Sequence, residues 1–204
     1  MYYDILDKKR LAILPLLKNF KTEFYLAGGT GLALQLGHRD SLDFDFFTAK
    51  DIDTQKLFGT IKDIFDGHKI NKIQEEKNTL TVLIDENIKL SFFTYKYPLL
   101  KKPLNEKYLK IASVEDIACM KLSAVVGRAT KKDYVDLYFI LQRTDLKQLL
   151  KLADKKYPSL DSNLILKSLV YFKDIENEPI KYKNNCRIDF ATIKKFLIAE
   201  AAKI

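Results

Sequence analysis

The sequence predicts an α+β fold in which strands and helices share residues 1–112 and helices alone fill residues 113–204. Three observations predict it. Short apolar or alternating runs, the mark of strands, are confined to the first half. A glycine pair ends the first of these runs and opens a helix. From Ser113 onward almost everything reads as helix.

Taken in order, residues 5–20 read as a helix through Ile5, Leu11, Leu14, Leu17 and Phe20, with Pro15 predicting a kink. Glu23 to Ala27 is short and aromatic, a buried strand stopped by Gly28-Gly29. Thr30 to Leu36 is helix-like. Leu42 to Phe47 alternates and reads as a second strand, and 53–65 as an amphipathic helix with Leu57, Ile61 and Ile64 on one side. Three further strands follow at 68–74, 79–84 and 87–95, the last two joined by a hairpin turn at Asp85-Glu86-Asn87. A looser stretch containing Pro98 and Pro103 leads to 108–111. Ser113-Val-Glu-Asp116 then supplies an N-cap with acids in the first helical turn. Helices are predicted over 114–127, 131–143, 145–156, 162–172 and 190–203, with a loop over 174–187.

A chain of 204 residues suits one compact domain or two tightly packed halves. Lys and Arg number 35 against 27 Asp and Glu, a net charge of +8 that favours a polyanionic partner, nucleic acid or nucleotide. The same excess also serves plain solubility. Two distant cysteines, Cys119 and Cys186, argue against a disulfide framework or zinc cluster, and two histidines exclude a histidine-rich metal site. Any metal is therefore expected to be a hard cation bound by oxygen. Met1 to Arg10 lacks the apolar core of a secretory signal, and no run approaches the ~20 residues of a membrane span, so a cytoplasmic location is expected.

Two constellations carry chemistry. In Leu42-Asp43-Phe44-Asp45-Phe46 the apolar residues take one strand face and both aspartates the other. Two carboxylates held together repel unless a cation lies between them, and such ligands suit Mg²⁺, which keeps several waters and shares itself with phosphates. Alone, Asp-x-Asp reads more simply as the exposed face of an edge strand, and Gly-Gly as an ordinary turn. Their combination is more specific, because glycines that close a strand and open a helix let backbone N–H groups approach a triphosphate. Thr30 adds a hydroxyl there.

The second constellation begins at Lys121, which sits among Ile117, Ala118, Met120, Leu122, Ala124 and Val125 on a helix apolar almost all round. A buried ammonium needs a partner. It either snorkels to the surface or aims at a phosphate or at the Asp43–Asp45 side. On the next helix Asp133 and Asp136 are three apart, and Lys132 faces Asp136 at four. Asp136 is assigned a structural pairing with Arg128 that locks two helices, while Lys132 and Asp133 are placed within reach of a nucleotide.

At these residues the sequence resembles a known family. Leu26-Ala-Gly-Gly-Thr-Gly-Leu-Ala-Leu-Gln-Leu-Gly-His-Arg-Asp-Ser-Leu-Asp-Phe-Asp-Phe-Phe47 is similar to the AbiEii/AbiGii toxin-like nucleotidyltransferases of the DNA polymerase β-like superfamily. Ser113-Val-Glu-Asp-Ile-Ala-Cys-Met-Lys-Leu122, Arg128-Ala-Thr-Lys-Lys-Asp-Tyr-Val-Asp-Leu-Tyr138 and Tyr171-Phe-Lys-Asp-Ile-Glu-Asn-Glu-Pro179 resemble its later segments, so the likeness spans most of the chain. It implies a polymerase β-like core with a mixed sheet and flanking helices, followed by a packed C-terminal helical bundle. It also implies transfer of a nucleoside monophosphate from a triphosphate to a hydroxyl, with Mg²⁺ or Mn²⁺ as cofactor. The implied acceptor is tRNA or another RNA, and the implied partner a cognate antitoxin; no membrane is involved. By motif, Asp43 and Asp45 would be metal ligands and, with Lys121 and Asp133, catalytic. Gly28, Gly29, Thr30, Arg39, Ser41, Arg128 and Lys132 would bind nucleotide.

One position departs from the superfamily. Many members carry a third carboxylate on a later strand as base for the attacking hydroxyl. Here Ser91, in Ile88-Lys-Leu-Ser-Phe-Phe93, takes that place and can neither bind Mg²⁺ nor accept a proton as a carboxylate does. Either Asp133 substitutes for it, or activity is weak or lost. Two rivals follow: transfer to a small molecule such as an aminoglycoside, and a non-catalytic nucleotide-binding module.

Overall fold

The computed structural model describes residues 1–175 and 178–204; Glu176 and Asn177, within the last segment of family resemblance, lie outside the described residues. The first predicted helix resolves into α1 (Lys8–Leu17) between 3₁₀ turns at Tyr3–Ile5 and Lys18–Phe20. Asp7 caps it by accepting from the Arg10 backbone N–H at 2.9 Å, and α1 runs through Pro15 for two more residues before tightening.

Among the described residues seven strands form one mixed sheet: β1 (Tyr25–Ala27), β2 (Phe44–Thr48), β3 (Ile70–Glu76), β4 (Thr79–Ile84), β5 (Ile88–Thr94), β6 (Leu104–Asn105) and β7 (Lys110–Ile111). Their spatial order is β3-β4-β5-β2-β1-β7-β6. β2 runs parallel to β5 and antiparallel to β1, which in turn runs parallel to β7. α2 (Gly28–Leu36) follows β1 directly, and α3 (Thr54–Ile64) follows β2. The looser stretch of the sequence hides β6, too short for any period to reveal. β2 begins at Phe44, two residues later than the alternation predicts, which leaves Asp43 in the loop before the strand.

β7 passes through Ala112 and Ser113 into α4 (Val114–Arg128), the first of five helices among the described residues, followed by α5 (Lys131–Leu141), α6 (Leu146–Lys156), α7 (Ser162–Leu169) and α8 (Phe190–Ala201). Ser113 caps α4 by accepting from the Asp116 N–H at 3.0 Å, and aspartates 145, 161 and 189 cap α6, α7 and α8. α7 stops three residues short of its predicted end.

Strand alternation decides what each sheet face does. Leu26, Phe44, Phe46, Leu80, Val82, Leu90 and Phe92 point to one face and bury against Ile13, Leu14 and Leu17 of α1 and Ile61 of α3. Tyr25 and Ala27 point to the other and join a second core built from α2 and α4 to α8. That helical layer covers the β1 end of its face. Over β2, β5 and β4 the same face stays open, and a cavity forms there. Among the described residues no helix is long and apolar enough to cross a membrane.

Candidate active site

The cavity floor is made where β1 gives way to α2. Ala27 pairs with Asp45 across β1 and β2, and the next residue, Gly28, turns the chain at φ +64°. A Cβ on Gly28 would stand 2.8 Å from Asp45 Oδ2, and one on Gly29 would stand 2.9 Å from both Arg39 Nη2 and Ser41 Oγ. A Cβ at either position would displace these side-chain ends, and the backbone angle favours glycine at Gly28 as well.

Beside this floor, register builds a polar row. Asp45 lies opposite Ser91 of β5, and Ser91 opposite Thr81 of β4. The position expected for a third carboxylate thus holds a nearly buried hydroxyl directly beside Asp45. Asp43, just ahead of β2, is held by Lys89 of β5, with Nζ to Oδ2 at 2.7 Å. Burial, and then the charge of Asp43, push the Asp45 carboxyl above its ordinary range against the opposing pull of Lys89, Lys121 and Arg128. No hydrogen bond reaches the Asp45 carboxylate among the described residues. Two crowded carboxylates, one short of donors, fit a hard divalent cation. No third His, Cys, Asp or Glu gathers with them among the described residues, so water and phosphate oxygens would have to complete the shell of any such ion.

Behind the opposite wall the charges are arranged differently. Asp136, fully buried, receives Arg39 on both oxygens at 2.7 Å, His38 Nε2 on Oδ1 at 2.8 Å and Lys121 Nζ on Oδ2 at 2.7 Å. Lys121 also meets Asp133 Oδ1 at 2.8 Å. The other Asp133 oxygen accepts from Thr130 N at 3.1 Å and Thr130 Oγ at 2.8 Å, closing the N-terminus of α5. Burial pushes Asp136 upward, but the Arg39 and Lys121 charges, with the His38 and Arg39 hydrogen bonds, outweigh it and hold the carboxyl well below its usual range. Burial likewise opposes the charged form of Lys121, yet Asp136 and Asp133 raise it. Burial keeps His38 toward its neutral form, and its Nδ1 has no partner among the described residues.

These contacts correct the pairings read from spacing. Asp136 is structural, but its partners are Arg39, Lys121 and His38. Arg128, its expected partner, sits exposed at the end of α4 and lines the cavity. Lys132 meets Glu178 at 2.7 Å, not Asp136, because Asp136 turns into the core while Lys132 turns out. The Lys121 ammonium neither snorkels nor reaches the Asp43–Asp45 side; two carboxylates hold it.

The cavity measures about 1030 Å³. Gly28, Gly29, Arg39, Ser41, Asp43, Asp45, Lys121, Arg128, Lys132 and Asp133 all line it. Thr30 is absent from the lining: it is fully buried, and its hydroxyl lies 2.9 Å from Ser41 Oγ and bonds the Asp43 carbonyl. It anchors the 41–43 loop from behind. Lys89, Thr81, Gln74 and an aromatic group of Phe47, Phe93 and Tyr95 line the cavity without having been singled out from sequence. Period-2 alternation on β5 places Lys89, Ser91 and Phe93 on the Asp45 face, although one lysine in a strand, taken by itself, reads as solvent-facing.

A returning segment completes the rim. Residues 178–184 come back from the helical half and pair with 37–40. Asp40 N donates to Lys181 O at 2.8 Å, Lys183 N to His38 O at 3.0 Å, and Asn184 Nδ2 to Gly37 O at 2.8 Å. The expected 174–187 loop thus contains a bridge between Arg39 and Tyr182, with Pro179, Ile180 and Lys181 on the cavity wall.

A mixed sheet ordered this way, with a glycine turn facing paired aspartates and a helical layer across one face, agrees with the polymerase β-like nucleotidyltransferase fold that the resemblance implies. The family model described as nucleotidyl transferase AbiEii toxin, type IV toxin–antitoxin system, matches residues 16–203, and the chain belongs to that family. The uncharacterized protein aq_aa25 of Aquifex aeolicus (strain VF5) is 46% identical over 162 residues, 76% of this chain and 77% of that one. JHP933 of Helicobacter pylori superposes with a TM-score of 0.58 at 19% identity, covering 97% of this chain and 92% of the other. The nucleotidyltransferase toxin MenT4 (Rv2826c) of Mycobacterium tuberculosis H37Rv gives 0.60 at 17% identity, covering 95% and 82%. At these identities the two structures speak for the fold.

Proposed function

We propose that the cavity binds a nucleoside triphosphate with Mg²⁺ or Mn²⁺ and that the protein transfers the nucleoside monophosphate to a hydroxyl of tRNA or another RNA, as a toxin restrained by a cognate antitoxin protein. The observation that carries this reading is the Asp43–Asp45 pair at the glycine floor, where Gly28 leaves Asp45 Oδ2 room that a methyl group would fill. Asp43 and Asp45 would hold the cation, which when bound supplies Lewis-acid neutralisation of phosphate charge. The α2 N-terminus offers backbone N–H groups without a side-chain cap, suited to phosphate oxygens. Arg128 and Lys132 add positive charge at the cavity edge. Asp133 has both oxygens engaged, so in this reading it positions Lys121 and does not replace the third carboxylate.

The basic balance supports a polyanionic acceptor over a cationic aminoglycoside. The test is incubation of the protein with α-labelled nucleoside triphosphates, Mg²⁺ and total tRNA. Label is expected on RNA and is expected to vanish in Asp45→Asn. Folded wild-type protein that labels no RNA overturns the RNA acceptor, and absence of any Mg²⁺-dependent triphosphate binding by calorimetry overturns the enzyme reading altogether.

A further inference from the structure

The Asp43–Asp45 pair has a third member. Lys89 stands one strand away on β5, two residues before Ser91 and on the same face, and its ammonium touches Asp43 at 2.7 Å. Both side chains are partly open, 37% for Lys89 and 49% for Asp43. Lys121 makes an instructive contrast: it is gripped by two carboxylates and only 11% exposed. Lys89 has one carboxylate partner, a flexible four-carbon stem, and a place on the cavity lining.

Two cations cannot share Asp43 comfortably. A divalent ion bound to both carboxylates would face the ammonium at close range and repel it. The nearest anion then available to Lys89 is the one the divalent ion brings, since Lys121 and Arg39 already occupy Asp133 and Asp136.

We propose that Lys89 is an exchangeable counter-ion of this site: its ammonium neutralises Asp43 while no divalent cation is bound, and moves onto the polyphosphate when metal and nucleotide enter. The proposal rests on the reading of Asp43 and Asp45 as cation ligands. It makes Lys89 a competitor of the free metal and a partner of the metal–polyphosphate complex, two effects of opposite sign from one side chain. A merely structural surface pair would produce neither.

Mn²⁺ binding, followed by loss of the electron paramagnetic resonance signal of the free ion, tests both effects in wild type, Lys89→Met and Asp45→Asn. Without polyphosphate, Lys89→Met is expected to bind Mn²⁺ on the order of threefold more tightly than wild type. With Mn²⁺ present, it is expected to bind inorganic triphosphate, a probe independent of base preference, on the order of threefold more weakly. Equal Mn²⁺ affinity in wild type and Lys89→Met, with Asp45→Asn impaired, overturns the counter-ion and leaves the metal site standing. Tighter Mn²⁺ with unchanged triphosphate affinity overturns the move onto phosphate. Wild-type binding that Asp45→Asn does not reduce overturns the metal reading and this proposal with it. Circular dichroism of Lys89→Met and of a second variant, Lys89→Gln, confirms that the compared proteins share a fold.

Discussion

Two pairs of aspartates flank the same cavity, Asp43 and Asp45 on its lining, Asp133 and Asp136 at and behind its opposite wall, and they behave oppositely. Asp133 and Asp136 are buried and saturated: Arg39, His38, Lys121 and Thr130 occupy their oxygens. Of Asp43 and Asp45, only Asp43 touches the ammonium of Lys89, and Asp45 is left with a raised proton affinity. In the sequence each pair is simply two acids two or three residues apart. What separates them is the number of donors within reach, and in the proposed reading the undersupplied pair is the one that would receive an incoming ion.

The sharpest way to break this comparison is to remove the centre of the saturated pair. Asp136→Asn strands the Arg39 charge in the interior, leaves Lys121 with Asp133 alone, and is expected to lower unfolding stability by about 3–5 kcal/mol in urea denaturation. The same carboxylate sets an acid limb. Its folded-state affinity for protons is depressed, so its contribution is fully present above the unfolded value of about 3.9 and drains away as pH falls below it. Wild-type stability should fall more steeply below pH about 4 than that of Asp136→Asn.

Asp45→Asn should do the reverse. Its melting temperature is expected to match or exceed that of wild type, because a crowded, partly buried charge has gone. Nucleotidyl transfer should drop about a hundredfold or more. A variant that melts early while keeping activity would reverse the roles assigned to the two pairs. Gly28→Ala addresses the geometry between floor and acid. The positive φ alone costs about 1–2 kcal/mol, and the new methyl would press on Asp45, so thermal stability and Mn²⁺ affinity should fall together. The smallest effect belongs to Lys132→Ala. Its exposed pairing with Glu178 is expected to shift stability by less than about 1 kcal/mol, and the melt should barely change.

Much of the fold could be read locally, and the parts that could not share one cause. Phe44, Asp45 and Phe46 announce their faces because period 2 needs only neighbours. Ser113 announces the start of α4 because capping is equally local. Lys121 was legible as a buried cation, but its partners lie on another helix, and Arg39 reaches Asp136 across 97 positions, beyond any periodic signal. Thr30 followed a glycine pair and looked like a ligand; the packing of α2 against the sheet turned its hydroxyl inward. Lys89 sat in a strand that the alternation oriented correctly, yet nothing local says that Asp43 ends opposite it.

The segment that returns over residues 37–40 has a consequence for anyone exchanging parts between relatives. The chain invites a splice near residue 112, where strands stop and helices begin. A hybrid made there would join a foreign backbone at 178–184 to a native loop at Gly37 to Asp40, and the mouth of the pocket would be stitched from mismatched cloth. Functional hybrids of this architecture must therefore inherit both edges of that seam from one parent.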